Sequence, residues 1–330
     1  MKKTLVAVAA LAAMTGAMAE VTISGIVDTS ISRTTATDKS ANTSSVTTGF
    51  VGAYTGSDLN IGGKEDLGNG MTARFNYGFT VNPVADVADE TVNNNYVSFL
   101  GLSGDFGDIQ VGQFFYMLHN TSAAYDAAGY SQANMDHQVS QAASGAVGGN
   151  LGQLLDAQLQ YTLPTMVSGL KLQLGKVFAG AASAVGDGTL YGASYSTGPF
   201  SVGYAYIKDR PSAATTNTKT SYGASYDIGM AKIVYSAQTR KLSTAAAQDT
   251  GTQYGVIVPF GATSVGIQGT SYSMPSVAAQ TKGSGYNIFV KHDLSKRTSI
   301  IAQTGATEIE GGTNIGDKSA TSTFGIWHAF

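Results

Sequence analysis

The chain contains no cysteine, so no disulfide can staple it and no thiolate can serve as nucleophile or metal ligand. Tryptophan occurs once, at Trp327, and proline six times in 330 residues. Charge is scarce: Asp, Glu, Lys and Arg make up 12% of the chain, where about 25% is usual for a soluble domain. A water-facing surface of this size would carry more of them. There is also no long hydrophobic run. The apolar stretch Leu5 to Met14 is about half the roughly 20 residues that a membrane-spanning helix needs, and nothing later comes closer. If this protein enters a membrane, helices do not put it there.

Other absences narrow function. Lys and Arg total 19 against 22 Asp and Glu, with no basic block, so nucleic acid is excluded as a partner. The chain has no Gly-x-Ser-x-Gly, no His-Glu-x-x-His and no Gly-x-x-x-x-Gly-Lys before Ser or Thr, and its paired carboxylates lie in connecting segments. No catalytic residue and no cofactor is assigned. His119 and His137 share a long polar segment with Asp126 and Asp136, but their spacing matches no metal-ligand pattern.

What is present begins with an export signal. Lys2 and Lys3 precede the apolar core, and Ala17, Met18 and Ala19 precede Glu20. Residues 1–19 read as a cleaved signal peptide, leaving 20–330 as a single domain. Removing two lysines takes the formal charge from −3 to −3 − 2 = −5.

From Val21 onward the hydrophobic period is two, the period of β-strands. Met71, Ala73, Phe75, Tyr77 and Phe79 alternate with Thr72, Arg74, Asn76, Gly78 and Thr80. The rhythm returns at Leu170 to Leu174, Phe200 to Tyr206 and Tyr286 to Val290. Tight turns fall at Asp66 to Gly70, Ser103 to Phe106, Pro164 to Gly169, Thr197 to Pro199, Asp227 to Gly229, Pro259 to Gly261 and Asp293 to Lys296. Longer polar loops are expected near 34–48, 81–92, 114–152, 179–188, 209–219, 242–250, 275–283 and 307–320. Seven turns and eight loops join sixteen strands.

An even strand number, short turns at one end and long loops at the other predict an all-β fold, a 16-stranded antiparallel transmembrane β-barrel. Closure follows because every backbone N–H and C=O in hydrocarbon must find its partner within the protein. Sixteen strands enclose more space than side chains fill, so an aqueous channel remains. Aromatics near strand ends, Tyr77, Phe79, Tyr195, Phe200 and Tyr226, read as interface girdles. Thr323 to Phe330 alternates to a terminal aromatic and is expected to pair with Val21 to Arg33. Phe114 to Gly152 breaks the pattern. A segment that long without strand periodicity is expected to be functional, and it is read as folding into the lumen.

Val21 to Asp28 (VTISGIVD), Gly63 to Gly70 (GKEDLGNG), Gly104 to Gly112 (GDFGDIQVG), Ser122 to Asp126 (SAAYD), Asp293 to Thr298 (DLSKRT) and Gly325 to Phe330 (GIWHAF) stand in this order along the chain. With them the chain resembles the trimeric general porins of the neisserial and β-proteobacterial type. The resemblance implies a homotrimer in the outer membrane, surrounded by lipid and lipopolysaccharide. Each subunit would pass ions and small hydrophilic solutes through a pore narrowed by the third loop. It also implies loop acids facing basic wall residues. Carried over, these are Lys64 and Arg74, at inward positions by strand parity, and Asp126 on the loop; Asp58 shares the inward face of Lys64, and Asp136 and His119 on the same loop complete the candidate constriction.

The chain departs from anion-selective members of that family. Asp58 and Asn93 to Asn95 stand where basic residues are expected, and Trp327 takes an inward position where arginine is frequent. Weak selectivity leaning to cations is the resulting expectation. Two other readings are an adhesion barrel, using loops such as Ser40 to Thr48 and Ala213 to Thr220, and a substrate-specific porin. The latter needs an inward track of aromatics or a dense basic ladder, and inward strand positions give mostly Ser, Gly, Gln, Asn and Thr.

Overall fold

The computed structural model describes residues 20–39, 43–51, 56–81, 92–93, 96–127, 154–178, 187–212, 215–279 and 281–330. The segment read as a signal peptide, Asp136, His137, Asn94 and Asn95 lie outside them. In the first part of the chain, β1 (Glu20–Asp38), β2 (Thr43–Val51), β3 (Ser57–Gly68), β4 (Met71–Val81), β5 (Val92–Asn93), β6 (Ser98–Gly104) and β7 (Gly107–Phe115) lead to helix α1 (Met117–Ala124). Then come β8 (Leu154–Thr162), β9 (Leu170–Val177), β10 (Asp187–Thr197), β11 (Phe200–Ser212), β12 (Thr215–Asp227) and β13 (Lys232–Lys241). The last five are β14 (Asp249–Phe260), β15 (Thr263–Ser273), β16 (Lys282–Asp293), β17 (Thr298–Gly311) and β18 (Lys318–Ala329).

All eighteen segments belong to one antiparallel sheet. β2 and β3 pair with successive parts of β1, and β5 and β6 with successive parts of β4, so each couple forms one interrupted wall strand. Eighteen segments less two gives the sixteen strands of a closed barrel. β18 closes the ring on β1, from Ile26 opposite Ala329 to Thr37 opposite Lys318. The terminal pairing predicted from Val21 to Arg33 is present from Ile26 onward, while Val21 to Ser24 run past the end of β18 and pair with β3 on the opposite edge.

The burial pattern is inverted relative to a soluble protein. Ile23 and Leu100 are 67% and 66% exposed, whereas Gln158, Gln268 and Asn287 are at most 2% exposed. The pleat sends alternate residues to opposite faces, so the apolar set points out toward lipid and the polar set points in. In β12 the inward face reads Asn217, Lys219, Ser221, Gly223 and Ser225, all buried, while Tyr222 and Tyr226 are exposed.

Tight turns at one end are built from left-handed residues. Gly198 has φ of +51° and Gly229 of +84°, a region open to glycine at little steric cost. Asp66 and Asp227 brace two of these turns, each accepting a hydrogen bond through Oδ1 from the amide two residues on, at 2.8 and 2.7 Å. At the opposite end three predicted loops are shorter than expected. β1 runs to Asp38 where a loop from 34 is predicted, β11 and β12 consume most of 209–219, and β17 runs to Gly311. Polar residues hid these extensions, because Thr and Ser can pair as strands in water. Ser32 bonds Thr323 at 3.2 Å and Thr34 bonds Thr321 at 3.0 Å across the closing seam.

Beside that seam Gly25 exchanges backbone hydrogen bonds with Phe330, whose ring lies over it. A Cβ at position 25 would collide with that ring and with the Asp58 carbonyl. Gly25→Val is expected to destabilise the closed barrel by about 1–3 kcal/mol, the usual cost of overpacking. A lower fraction of the heat-modifiable folded band on a detergent gel would register the loss, and an unchanged band would disprove it.

Candidate functional site

Of the predicted loop 114–152, the described part is 114–127 and the remainder lies outside. β7 extends to Phe115, and after Tyr116, in extended conformation, the chain turns into α1. This helix packs on the inner face of β10 to β13. Met117 and Leu118 join Tyr116, Leu155, Val177, Leu190, Ala205 and Ile207 in an apolar cluster within the barrel. Burial of apolar area, and not capping, holds the helix there, since no side chain caps its N-terminus.

The seat beneath it is a row of inward-facing glycines. Met117 lies over Gly175 and Gly192, where added Cβ atoms would stand 3.1 Å from its Cε and 3.2 Å from its Sδ. The Tyr125 ring fills the space left at Gly203 and Gly223, and Ala127 that at Gly255. Tyr125 Oη and Ser201 Oγ are 3.1 Å apart. Burial pushes the Tyr125 phenol above its ordinary pKa, with the Ser201 bond opposing, so the hydroxyl stays neutral. Asp126, one of the predicted site residues, is buried beside it, with its amide donating to the Ala123 carbonyl at 3.3 Å. His119 stacks on Phe115 with ring centroids 4.6 Å apart.

Lys64 and Arg74 are direct cross-strand neighbours on β3 and β4. In barrel order these are the second and third strands, whereas β10 to β13 are the eighth to eleventh, nearly half way round. The height is similar, because Lys64 precedes Asn69 by five residues and Arg74 follows it by five, as Gly203 follows Gly198 by five. Neither cation is alone. Arg74 Nη2 donates to Asp108 Oδ1 at 2.7 Å and to Gln110 Oε1 at 3.1 Å, and the guanidinium lies over Phe99, 5.4 Å from the ring centre. Lys64 Nζ is 3.8 Å from Glu20, both well exposed, so the attraction is small.

Asp58 continues the same inward face. It accepts a hydrogen bond from Asn60 Nδ2 at 2.5 Å, Asn60 Oδ1 accepts from Asn76 at 2.9 Å, and Asn76 also donates to the Val97 carbonyl at 2.5 Å. Among the described residues, therefore, Lys64, Arg74 and Asp58 share one wall while Asp126 and His119 belong to the α1 side.

Sequence reasoning missed two features. Tyr96, Phe99 and Phe115 bring aromatic surface to the lumen beside Asp58 and Arg74, contrary to the expectation of no such track. Phe99 lies opposite Asn76 on an inward position of β6, but Tyr96 comes from a bend and Phe115 from a strand end, where parity carries no information. The second is a buried ion pair. Arg240 Nη2 donates to Asp249 Oδ2 at 2.6 Å, and Asp249 Oδ1 accepts from the Ser276 amide at 3.0 Å, fastening the β15–β16 connection to the wall. The inward alternation Val234, Ser236, Gln238, Arg240 could have revealed its cation. Among the described residues, no group of three His, Asp or Glu could hold a metal ion.

A closed sixteen-stranded barrel with a lipid-facing apolar exterior and a polar interior is an outer-membrane channel. The chain belongs to the family described as Gram-negative porin, whose model matches residues 7–312. It is 29% identical over 248 residues to outer membrane porin protein 32 of Delftia acidovorans, covering 71% of this chain and 68% of that protein. It is 35% identical over 129 residues to major outer membrane protein P.IB of Neisseria gonorrhoeae, an alignment covering 38% of this chain and 36% of that one. Among solved structures, an anion-selective porin from Comamonas acidovorans superposes with a TM-score of 0.79 at 22% identity, covering 95% of this chain and all of that one. OmpF of Salmonella typhi superposes with a TM-score of 0.70 at 12% identity, covering 94% and 97%.

If the glycine row seats the loop, Gly223→Val should evict the Tyr125 ring. The expected result is a changed single-channel conductance with folding retained, at a cost of about 1–3 kcal/mol. Conductance identical to wild type would show that the ring's seat does not shape the pore.

Proposed function

We propose that this outer-membrane diffusion porin passes ions and small hydrophilic solutes with weak charge selectivity leaning to cations. The observation that supports it most directly is the pairing of the two cations beside Asp58 with carboxylates, Arg74 with Asp108 and Lys64 with Glu20. Rings of unpaired like charge bias which ions enter a pore, whereas paired charges largely cancel at a distance. Asp58, with no cation bonded to it among the described residues, tips the balance toward negative potential. The anion-selective description of the Comamonas acidovorans structure is therefore not carried over.

In this reading the 114–152 connection, seated by α1 and Tyr125, forms the constriction, with Asp126, Asp136 and His119 on its side and Lys64, Arg74 and Asp58 on the wall. Residues 1–19 are a signal peptide removed on export. The mature chain assembles as a homotrimer among lipid and lipopolysaccharide, and it has no enzymatic activity.

The reversal potential across a salt gradient tests the filter. Wild type should give a small potential of the cation-selective sign. Arg74→Ala, by removing one positive charge and exposing Asp108, should increase cation preference. One unit charge acting at about 4 Å in water-like surroundings is worth about 1 kcal/mol, equivalent to a roughly fivefold change in permeability ratio. An unchanged potential would remove Arg74 from the filter, and a strongly anion-selective wild type would overturn the selectivity reading.

A further inference from the structure

A cavity of about 800 Å³ opens in the lumen between β1, β3, β4 and the start of the 114–152 connection. Its lining combines two surfaces, of which the diffusion reading uses only the charges of Asp58 and Arg74. One is the wall ladder Asp58, Asn60 and Asn76, with Arg74 below it. The other is aromatic, formed by Tyr96, Phe99 and Phe115.

Both surfaces are fixed before any solute arrives. Asn76 donates to Asn60 and to the Val97 carbonyl, and Asn60 donates to Asp58, so the amides are held in a chain. The Phe115 ring is clamped between the edge-on Tyr96 ring, 5.9 Å away, and the stacked His119 imidazole at 4.6 Å. Groups held this way lose little rotamer freedom when a ligand docks.

The charge balance selects the ligand class. Arg74 is already held by Asp108 and Lys64 faces Glu20, so Asp58 is left as the acid without a counter-charge around this cavity, which disfavours anions and favours a neutral solute that can donate hydrogen bonds to it. An apolar solute would strip water from the amide and carboxylate ladder and return no hydrogen bonds. A solute with many hydroxyls meets both demands. Its O–H groups can donate to Asp58 and accept from Arg74, and its C–H faces can lie on the rings.

Resting on the reading of the chain as a conducting pore, we propose that this cavity is a binding subsite for neutral polyhydroxylated solutes of the sugar class. Asp58, Asn60 and Asn76 supply the polar contacts and Tyr96 and Phe115 the stacking surface. The site is open to the channel, so binding is weak and exchange fast, as transport requires.

The test is ion current through the purified protein in a planar bilayer, titrated with glucose, maltose and maltotriose, with polyethylene glycol of matched size as reference. At least one sugar should reduce the current saturably, beyond the reduction given by the glycol. The half-saturating concentration should rise roughly tenfold, a change worth about 1.4 kcal/mol, in Tyr96→Ala and Asn60→Ala. It should not change in Gln303→Ala on β17. If Asn60→Ala alters the unit conductance without sugar, the ladder has been disturbed, and Tyr96→Leu, outside the ladder, decides in its place. Sugars that lower the current only as the glycol does, or Tyr96 variants that titrate like wild type, would overturn the subsite while leaving the porin intact. A protein that inserts without conducting would overturn the pore itself.

Discussion

The pairing of backbone amides governs this molecule. In hydrocarbon an unpaired N–H or C=O costs several kcal/mol, so a sheet can cross only if it has no free edge. The register of β1 against β18, continuous from Ile26 to Thr37, removes the last edge. Strand number then sets the width, width makes a lumen that side chains do not fill, and the lumen makes the inward face polar. Composition follows from the same requirement: with lipid on the outside and a narrow water column within, few surfaces call for charge.

Within that frame the lumen is asymmetric. One side carries α1, seated by apolar contacts and by glycines that make room for Met117, Tyr125 and Ala127. The facing side carries hydrogen-bonded polar and charged residues from β1, β3 and β4, joined by aromatics from less regular segments. Among the described residues the two sides of the lumen therefore present different chemistry, apolar contacts on one and a hydrogen-bonded polar wall on the other.

Most of the architecture could be read from residue order. Period-two alternation gave the strands, and Gly, Asn and Asp clusters gave the turns; Asp66 and Asp227 brace two of them as that reading requires. The inward assignment of Lys64 and Arg74 came from the family resemblance together with strand parity, which also puts Asp58 on that face, and all three line the lumenal cavity. Legibility ended where parity stops applying. Thr- and Ser-rich strand extensions resembled loops because hydrophobicity is silent in water. The partners of Arg74 and Arg240 could not be foreseen, since Asp108 and Asp249 reach them across strands whose relative register no local pattern fixes. Tyr96 and Phe115 were invisible as a lining because a bend and a strand end aim them.

The seat of α1 also bears on how such a channel can vary over time. A seat made of missing side chains can be altered in only one direction, since any replacement of Gly175, Gly192, Gly203, Gly223 or Gly255 adds volume beneath the helix. A single methyl group there presses on Met117, Tyr125 or Ala127, the side chains that hold the segment to its wall. The packing of this segment is therefore open to single-nucleotide change at positions that carry no charge, so its seat can be altered without replacing a charged residue.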